Sequence, residues 1–153
     1  MFVRTSATPS VVSEEPSREV KRWTVVGMIL ASGIVFLDGT VVNVALPAID
    51  RSLAAGLSGL QWVIDGYALS LAALLLLGGS LGDRYGRRLV MVVGLVGFGA
   101  ASALCGFAPA IGWLIAARVV QGVAGALLVP ASLAVITAVF TNAEERGQAI
   151  GAW

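Results

Sequence analysis

Three charged side chains, Asp38, Asp65 and Arg118, lie inside long apolar runs of the sequence. A charge at the centre of a bilayer costs at least about 2.5–3.5 kcal/mol, so it faces a cavity or a partner and marks function. The chain has no histidine. Any proton chemistry therefore belongs to carboxylates, and a histidine-based catalytic site is excluded. Buried carboxylates bind protons or cationic groups, and an arginine beside them keeps at least one ionised. With a rise of 1.5 Å per residue, Asp38 lies about 12 Å from the outer end of its run, and Asp65 and Arg118 about 7–8 Å from theirs. All three fall at similar levels in the outer half of the membrane, and the expectation is one shared polar cavity.

The run that carries Arg118 has a second pattern. Arg118, Gln121, Gly122 and Gly125 fall at i, i+3, i+4 and i+7, one face of a helix, as suits a helix lining a cavity. Gly122 and Ala126 form a small-residue pair for close helix packing. Pro130 frees the carbonyl of Ala126 and bends the helix. Gly78, Gly82 and Gly86 are also four apart and admit another backbone close by. Cys105 is the single cysteine. It has neither a disulfide partner nor companion metal ligands, and reads as a small buried side chain. No nucleophile–base pair, metal cluster or phosphate loop is present, and the glycines at 79, 82 and 86 follow no strand. An enzyme is not expected.

The elements that must hold these residues follow from composition. The chain is 153 residues long, 58% hydrophobic and 12% charged, against about 25% charged in ordinary globular chains. Mean hydropathy is +0.90. An all-α, multi-pass membrane protein is predicted, with spans at about 23–46, 60–81, 89–107 and 113–138. Pro47 closes the first span, and residues 48–59 form a loop. Trp62 and Tyr67 read as interfacial aromatics near the start of the second span. Residues 1–22 are polar and predicted to be a disordered tail. Thr141, with Glu144 three residues later, reads as the cap of a fifth helix starting at about 142. The net charge of +1 gives no reason to expect a nucleic-acid partner.

Concentrated charge appears once between the apolar runs, at 79–88, where Asp83, Arg84, Arg87 and Arg88 are interleaved with Gly79, Gly82 and Gly86. It reads as a tight aqueous turn between two spans. With four spans drawn, the tail (Arg4, Arg18, Lys21, Arg22), this turn and Arg146 share one side, and the other side receives only Arg51. The positive-inside rule makes the first side cytoplasmic.

These residues resemble a known family. Gly79-x-x-x-Asp83-Arg84-x-Gly86-Arg87-Arg88 is similar to the loop between helices two and three of the major facilitator superfamily. The series Leu114, Arg118, Gln121, Gly122, Gly125, Ala126, Pro130 resembles the fourth-helix motif of its proton-coupled drug antiporters. The segments from Leu37-Asp38 to Pro47 and from Gln61-Trp62 to Leu69 resemble its 14-helix drug:proton branch. The likeness covers residues 23–153.

The resemblance implies four helices of an N-terminal six-helix bundle, incomplete in this chain, and export of small organic molecules, cationic or lipophilic, in exchange for protons. The proton gradient is the energy source and no cofactor is implied. Asp38 and Asp65 are then protonation or cation-contact sites, and Arg118 assists proton coupling. Gln121, Gly122 and Gly125 line the cavity. Gly79, Asp83, Arg84, Gly86, Arg87 and Arg88 form part of a cytoplasmic gate whose partner helix lies in the second half of such transporters. The superfamily uses 12 or 14 helices, so a chain with four is expected to be an N-terminal piece, inactive alone, in the inner or plasma membrane with its N-terminus cytoplasmic. The alternative is a self-contained four-helix membrane protein that acts as an oligomeric small exporter or interaction module.

Overall fold

The computed structural model describes residues 17–153. Five helices follow one another: α1 Arg18–Leu53, α2 Gly56–Tyr85, α3 Arg87–Gly106, α4 Ile111–Val139 and α5 Ala143–Ala152. The first four are long and apolar enough to cross a membrane. The remaining face of the bundle is strongly apolar, with Val44, Leu57, Leu76 and Phe107 each more than four-fifths exposed. Lipid suits such a surface and water does not.

Several boundaries differ from those read in the sequence. Of the tail, residues 1–16 lie outside the described residues, but residues 18–22 are already helical, with the Ser17 hydroxyl accepting from the Val20 N–H at 3.4 Å. Pro47 does not close α1, which runs through it to Leu53. Proline removes one backbone bond, but the turns on either side hold: the Asn43 side-chain amide donates to the Gly39 carbonyl at 2.8 Å and Arg51 Nε to the Pro47 carbonyl at 3.0 Å. The loop expected at 48–59 shrinks to Ala54 and Ala55, where Asp50 accepts from the Gly56 N–H at 2.9 Å. The charged stretch is less a turn than two helix ends. Asp83 and Arg84 lie in the last turn of α2 and Arg87 and Arg88 in the first turn of α3. Gly86 alone joins them, with φ at +96°, a conformation that L side chains rarely adopt. The cap of α5 is Asn142 rather than Thr141: its side chain accepts from the N–H groups of Glu144 and Glu145.

α4 is the hub, with α1, α2 and α3 packed around it and buried residues from Leu114 to Ile136. Its contact with α2 is close because of two glycines. A Cβ at Gly122 would sit 2.0 Å from Ser70 Oγ and 2.5 Å from the Tyr67 carbonyl, and a Cβ at Gly78 would sit 2.0 Å from the Ala126 carbonyl. That carbonyl is the one Pro130 leaves without its helical N–H, and Gly78 lets it lie against the α2 backbone. Gly82 has nothing within 4 Å, so the expected three-glycine approach narrows to one position.

α1 and α4 meet along an apolar middle, where Val35 packs with Tyr67, Phe98, Ala124 and Leu128. Beyond it, towards the start of α1, is a neutral polar node. Ser132 donates to the Val129 carbonyl, Ser32 lies 2.8 Å from Ser132, and the Trp153 indole donates to Ser32 at 2.7 Å. α5 is thereby tied to both α1 and α4. A Lys21–Glu145 ion pair at 2.8 Å fastens the same end.

Candidate functional site

The opposite end of the α1–α4 interface is charged. Arg118 and Gln121 lie one turn apart on the buried face of α4, as their i, i+3 spacing requires. Both are almost wholly buried, Arg118 at 2% exposure and Gln121 at 1%. Arg118 Nη1 pairs with Asp38 Oδ2 from α1 and also donates to Gln121 Oε1 at 2.8 Å. Gln121 Nε2 donates to Asp38 Oδ1 at 2.8 Å, so both carboxylate oxygens are engaged. Arg118 Nε reaches the Val63 carbonyl of α2 at 3.3 Å, and the guanidinium carbon lies 4.2 Å from the centre of the Tyr67 ring. The Tyr67 hydroxyl donates to the Val35 carbonyl at 2.9 Å, joining α2 to α1 one turn before Asp38.

Each partner has an energetic reason to be there. A buried ion pair recovers its desolvation cost only when further hydrogen bonds satisfy the remaining donors and acceptors. Gln121 uses its amide both ways, accepting from Arg118 and donating to Asp38, which orients it. The node opens on a cavity of about 490 Å³ lined by Asp38, Val63, Cys105, Leu114, Arg118 and Gln121 among others. Both carboxylate oxygens are hydrogen-bonded, yet the residue is not sealed off: its side chain is 17% exposed, against 3% for Arg118. Of the two ion-pair partners that line the cavity, the carboxylate is therefore the more exposed.

The structure brings together only part of the predicted set. Asp38, Arg118 and Gln121 meet. Gly122 and Gly125 lie on the same face of α4 but pack, Gly122 against α2 and Gly125 against Leu71, Val35 and Phe98, rather than lining the cavity. Asp65 is not part of the node. It neither lines the cavity nor pairs with Arg118. Equal depth placed it at the right level, but azimuth decides contact. Val63 and Tyr67 carry the α2 side of the node, and Asp65 is two residues from each, roughly 200° around the helix.

Two members were misread in the sequence. Tyr67, expected at the interface, is buried beneath Arg118. Cys105, expected to be plain core, is half-buried on the cavity wall, and its thiol donates to Gln121 Oε1 at 3.5 Å. The i, i+4 glycine at 122 could have suggested a close α2 neighbour, but nothing in the sequence said which residue it was.

The residues expected to form a gate sit at the other end. Gly79, Asp83 and Arg87 line a cavity of about 280 Å³ with Pro130, Ala134 and Thr137. Arg87 Nη1 donates to the Ala134 carbonyl of α4 at 2.8 Å, and Nη2 lies 3.5 Å from Asp83. Arg84 and Arg88 are exposed. Among the described residues no group of three or more His, Cys, Asp or Glu comes together to hold a metal.

Four apolar spans around a buried ion pair that opens on a cavity define a polytopic helical membrane protein. The model of the Major Facilitator Superfamily matches residues 28–153, and the chain belongs to that superfamily of transporters. It is 46% identical over 149 residues to the puromycin resistance protein pur8 of Streptomyces alboniger, covering 97% of this chain and 30% of that protein. It is 45% identical over 146 residues to a probable actinorhodin transporter of Streptomyces coelicolor, covering 95% of this chain and 25% of that protein. The multidrug efflux pump LfrA of Mycolicibacterium smegmatis is 43% identical over 120 residues, 78% of this chain and 24% of that protein. The chain thus spans under a third of the length of these relatives.

Proposed function

We propose that this chain supplies the first four membrane helices of a proton-coupled exporter of small organic molecules, with Asp38 as the proton acceptor and Arg118 as its counter-charge. The observation that carries this reading is the Asp38–Arg118–Gln121 node, held between two helices long and apolar enough to cross a membrane and open on a cavity. A carboxylate whose ion-pair partner shares a cavity with solute is a place where proton uptake changes what the solute meets. Asp65, on another face of α2, is a second carboxylate for cationic substrates rather than a member of the same switch. The residues around Asp83 and Arg87 form one side of a gate whose partner lies in helices that the relatives' greater length provides. In this reading the chain does not transport alone, and it sits in the cell membrane with the N-terminus and the α2–α3 junction cytoplasmic, on the side rich in arginine.

The test is a chimera in which this chain replaces the matching segment of the Streptomyces alboniger protein. Puromycin efflux is measured in cells with and without a protonophore. Efflux that stops with the protonophore, and that Asp38→Asn abolishes while the protein still reaches the membrane, supports the proposal. Undiminished proton-driven efflux with Asp38→Asn would sink it, as would efflux by the 153-residue chain alone.

A further inference from the structure

Arg118 is held from two sides, and the two sides behave differently when a proton arrives. On one side Nη1 faces Asp38 and Gln121. On the other, α2 presents the Val63 carbonyl to Nε at 3.3 Å and the face of Tyr67 at 4.2 Å. A guanidinium cannot shed its charge. When Asp38 is neutral, Arg118 stays a cation in apolar surroundings and needs another partner. An aromatic face in contact with a desolvated cation is such a partner, and here it is already in place, buried and pinned by the Tyr67 hydroxyl on the Val35 carbonyl.

We propose that Tyr67 is a positioning residue: it keeps Arg118 docked on α2 while Asp38 is neutral, so that proton uptake loosens α1 and not the arginine. This deepens the export reading, since it takes Asp38 to be the proton acceptor. The titratable groups that face one another here are Asp38 from α1, Tyr67 from α2, Cys105 from α3 and Arg118 from α4. The packing of α1 fits the same division. Its buried residues, Met28, Ala31, Ser32 and Val35, all precede Asp38. The stretch from 39 to 53 has no fully buried residue and is the more loosely packed part of α1, whereas α4 and α2 are packed together along their length.

Cys105 is a native reporter, being the single cysteine of the chain and lying on the cavity wall with its thiol on Gln121. Its labelling rate with a membrane-permeant maleimide is measured in non-energised vesicles for the wild type, Asp38→Asn, Tyr67→Leu and the double variant. If Tyr67 takes over when Asp38 is neutral, the double variant labels about tenfold faster than the product of the single effects requires. Asp38→Asn with Tyr67→Phe, which keeps the ring, stays near the rate of Asp38→Asn alone. A rate equal to the product of the singles overturns the proposal, since a role in packing alone predicts it, and so does Tyr67→Phe behaving like Tyr67→Leu, since that places the effect in the hydroxyl bond to the Val35 carbonyl and not in the ring. Should Tyr67→Leu fail to accumulate in membranes, Tyr67→Met, which keeps buried volume without the ring, completes the same cycle. Labelling requires neither a gradient nor a substrate. An additive cycle therefore removes the Tyr67 role and leaves export standing, and an inactive chimera removes export and leaves the cycle readable.

Discussion

The same two helices, α1 and α4, are joined by polar nodes at two levels, and the nodes are built from opposite chemistry. One is ionic: Asp38, Arg118 and Gln121, backed by Tyr67 and open on a cavity. The other is neutral: Ser32 and Ser132, 3% and 0% exposed, with the Trp153 indole. Between them lies apolar packing around Val35 and Leu128. A hydroxyl–indole chain keeps its hydrogen bonds at any ordinary pH, whereas an ion pair depends on the charge of its carboxylate. One clamp is therefore permanent and the other conditional. This is what a helix needs if one of its ends is to stay fixed while the other responds.

The largest effect expected from breaking this contrast is at Arg118. Arg118→Ala leaves Asp38 without its counter-charge and Gln121 without its stronger donor, at a cost of about 3–5 kcal/mol. Denaturant or thermal unfolding of the chain in detergent measures it, and a loss under about 1 kcal/mol would mean that solvent already screens the pair. Gly122→Ala comes next. It removes no polar group of the charged node but pushes a methyl into Ser70 Oγ and the Tyr67 carbonyl. Overpacking of this kind costs about 1–3 kcal/mol, and it should also speed Cys105 labelling, because the α2 side of the node is displaced.

Ser132→Ala tests the neutral clamp. Ser32 keeps the Met28 carbonyl and Trp153 as partners, so the loss is about 1 kcal/mol, and it should be the same at acid and neutral pH. A loss confined to one pH would break the contrast between the nodes. The smallest effect is at the α2–α3 junction. Asp83 is 71% exposed and lies 3.5 Å from Arg87, so Asp83→Asn should change stability by no more than about 0.5 kcal/mol. A strong defect of that variant in the efflux chimera, without loss of stability, would place the role of Asp83 in the longer protein rather than in this bundle.

Much of the architecture was legible from the chain. Continuous apolar runs of about twenty residues become spanning helices, because in lipid a single segment can pair its own backbone only as a helix. The spacing of Arg118 and Gln121 put them on one face whatever packed against it. The boundaries were less legible. Pro47 looked like a stop, yet α1 continues because the side chains of Asn43 and Arg51 bond the backbone around it. Thr141 and Asn142 are both good caps, and only the backbone shows that Asn142 accepts the free N–H groups.

By itself the sequence determined the membrane class and the face of α4 that carries the polar stripe, because these depend on composition and on the pitch of one helix. The tertiary structure decided which charges meet. Asp38 reaches Arg118 and Asp65 does not, since contact depends on how each helix is turned about its own axis, and that is set by packing at Gly78, Gly122 and Val35. For the same reason only the fold could show Tyr67 beneath Arg118, Cys105 on the cavity wall and the serines joined to Trp153.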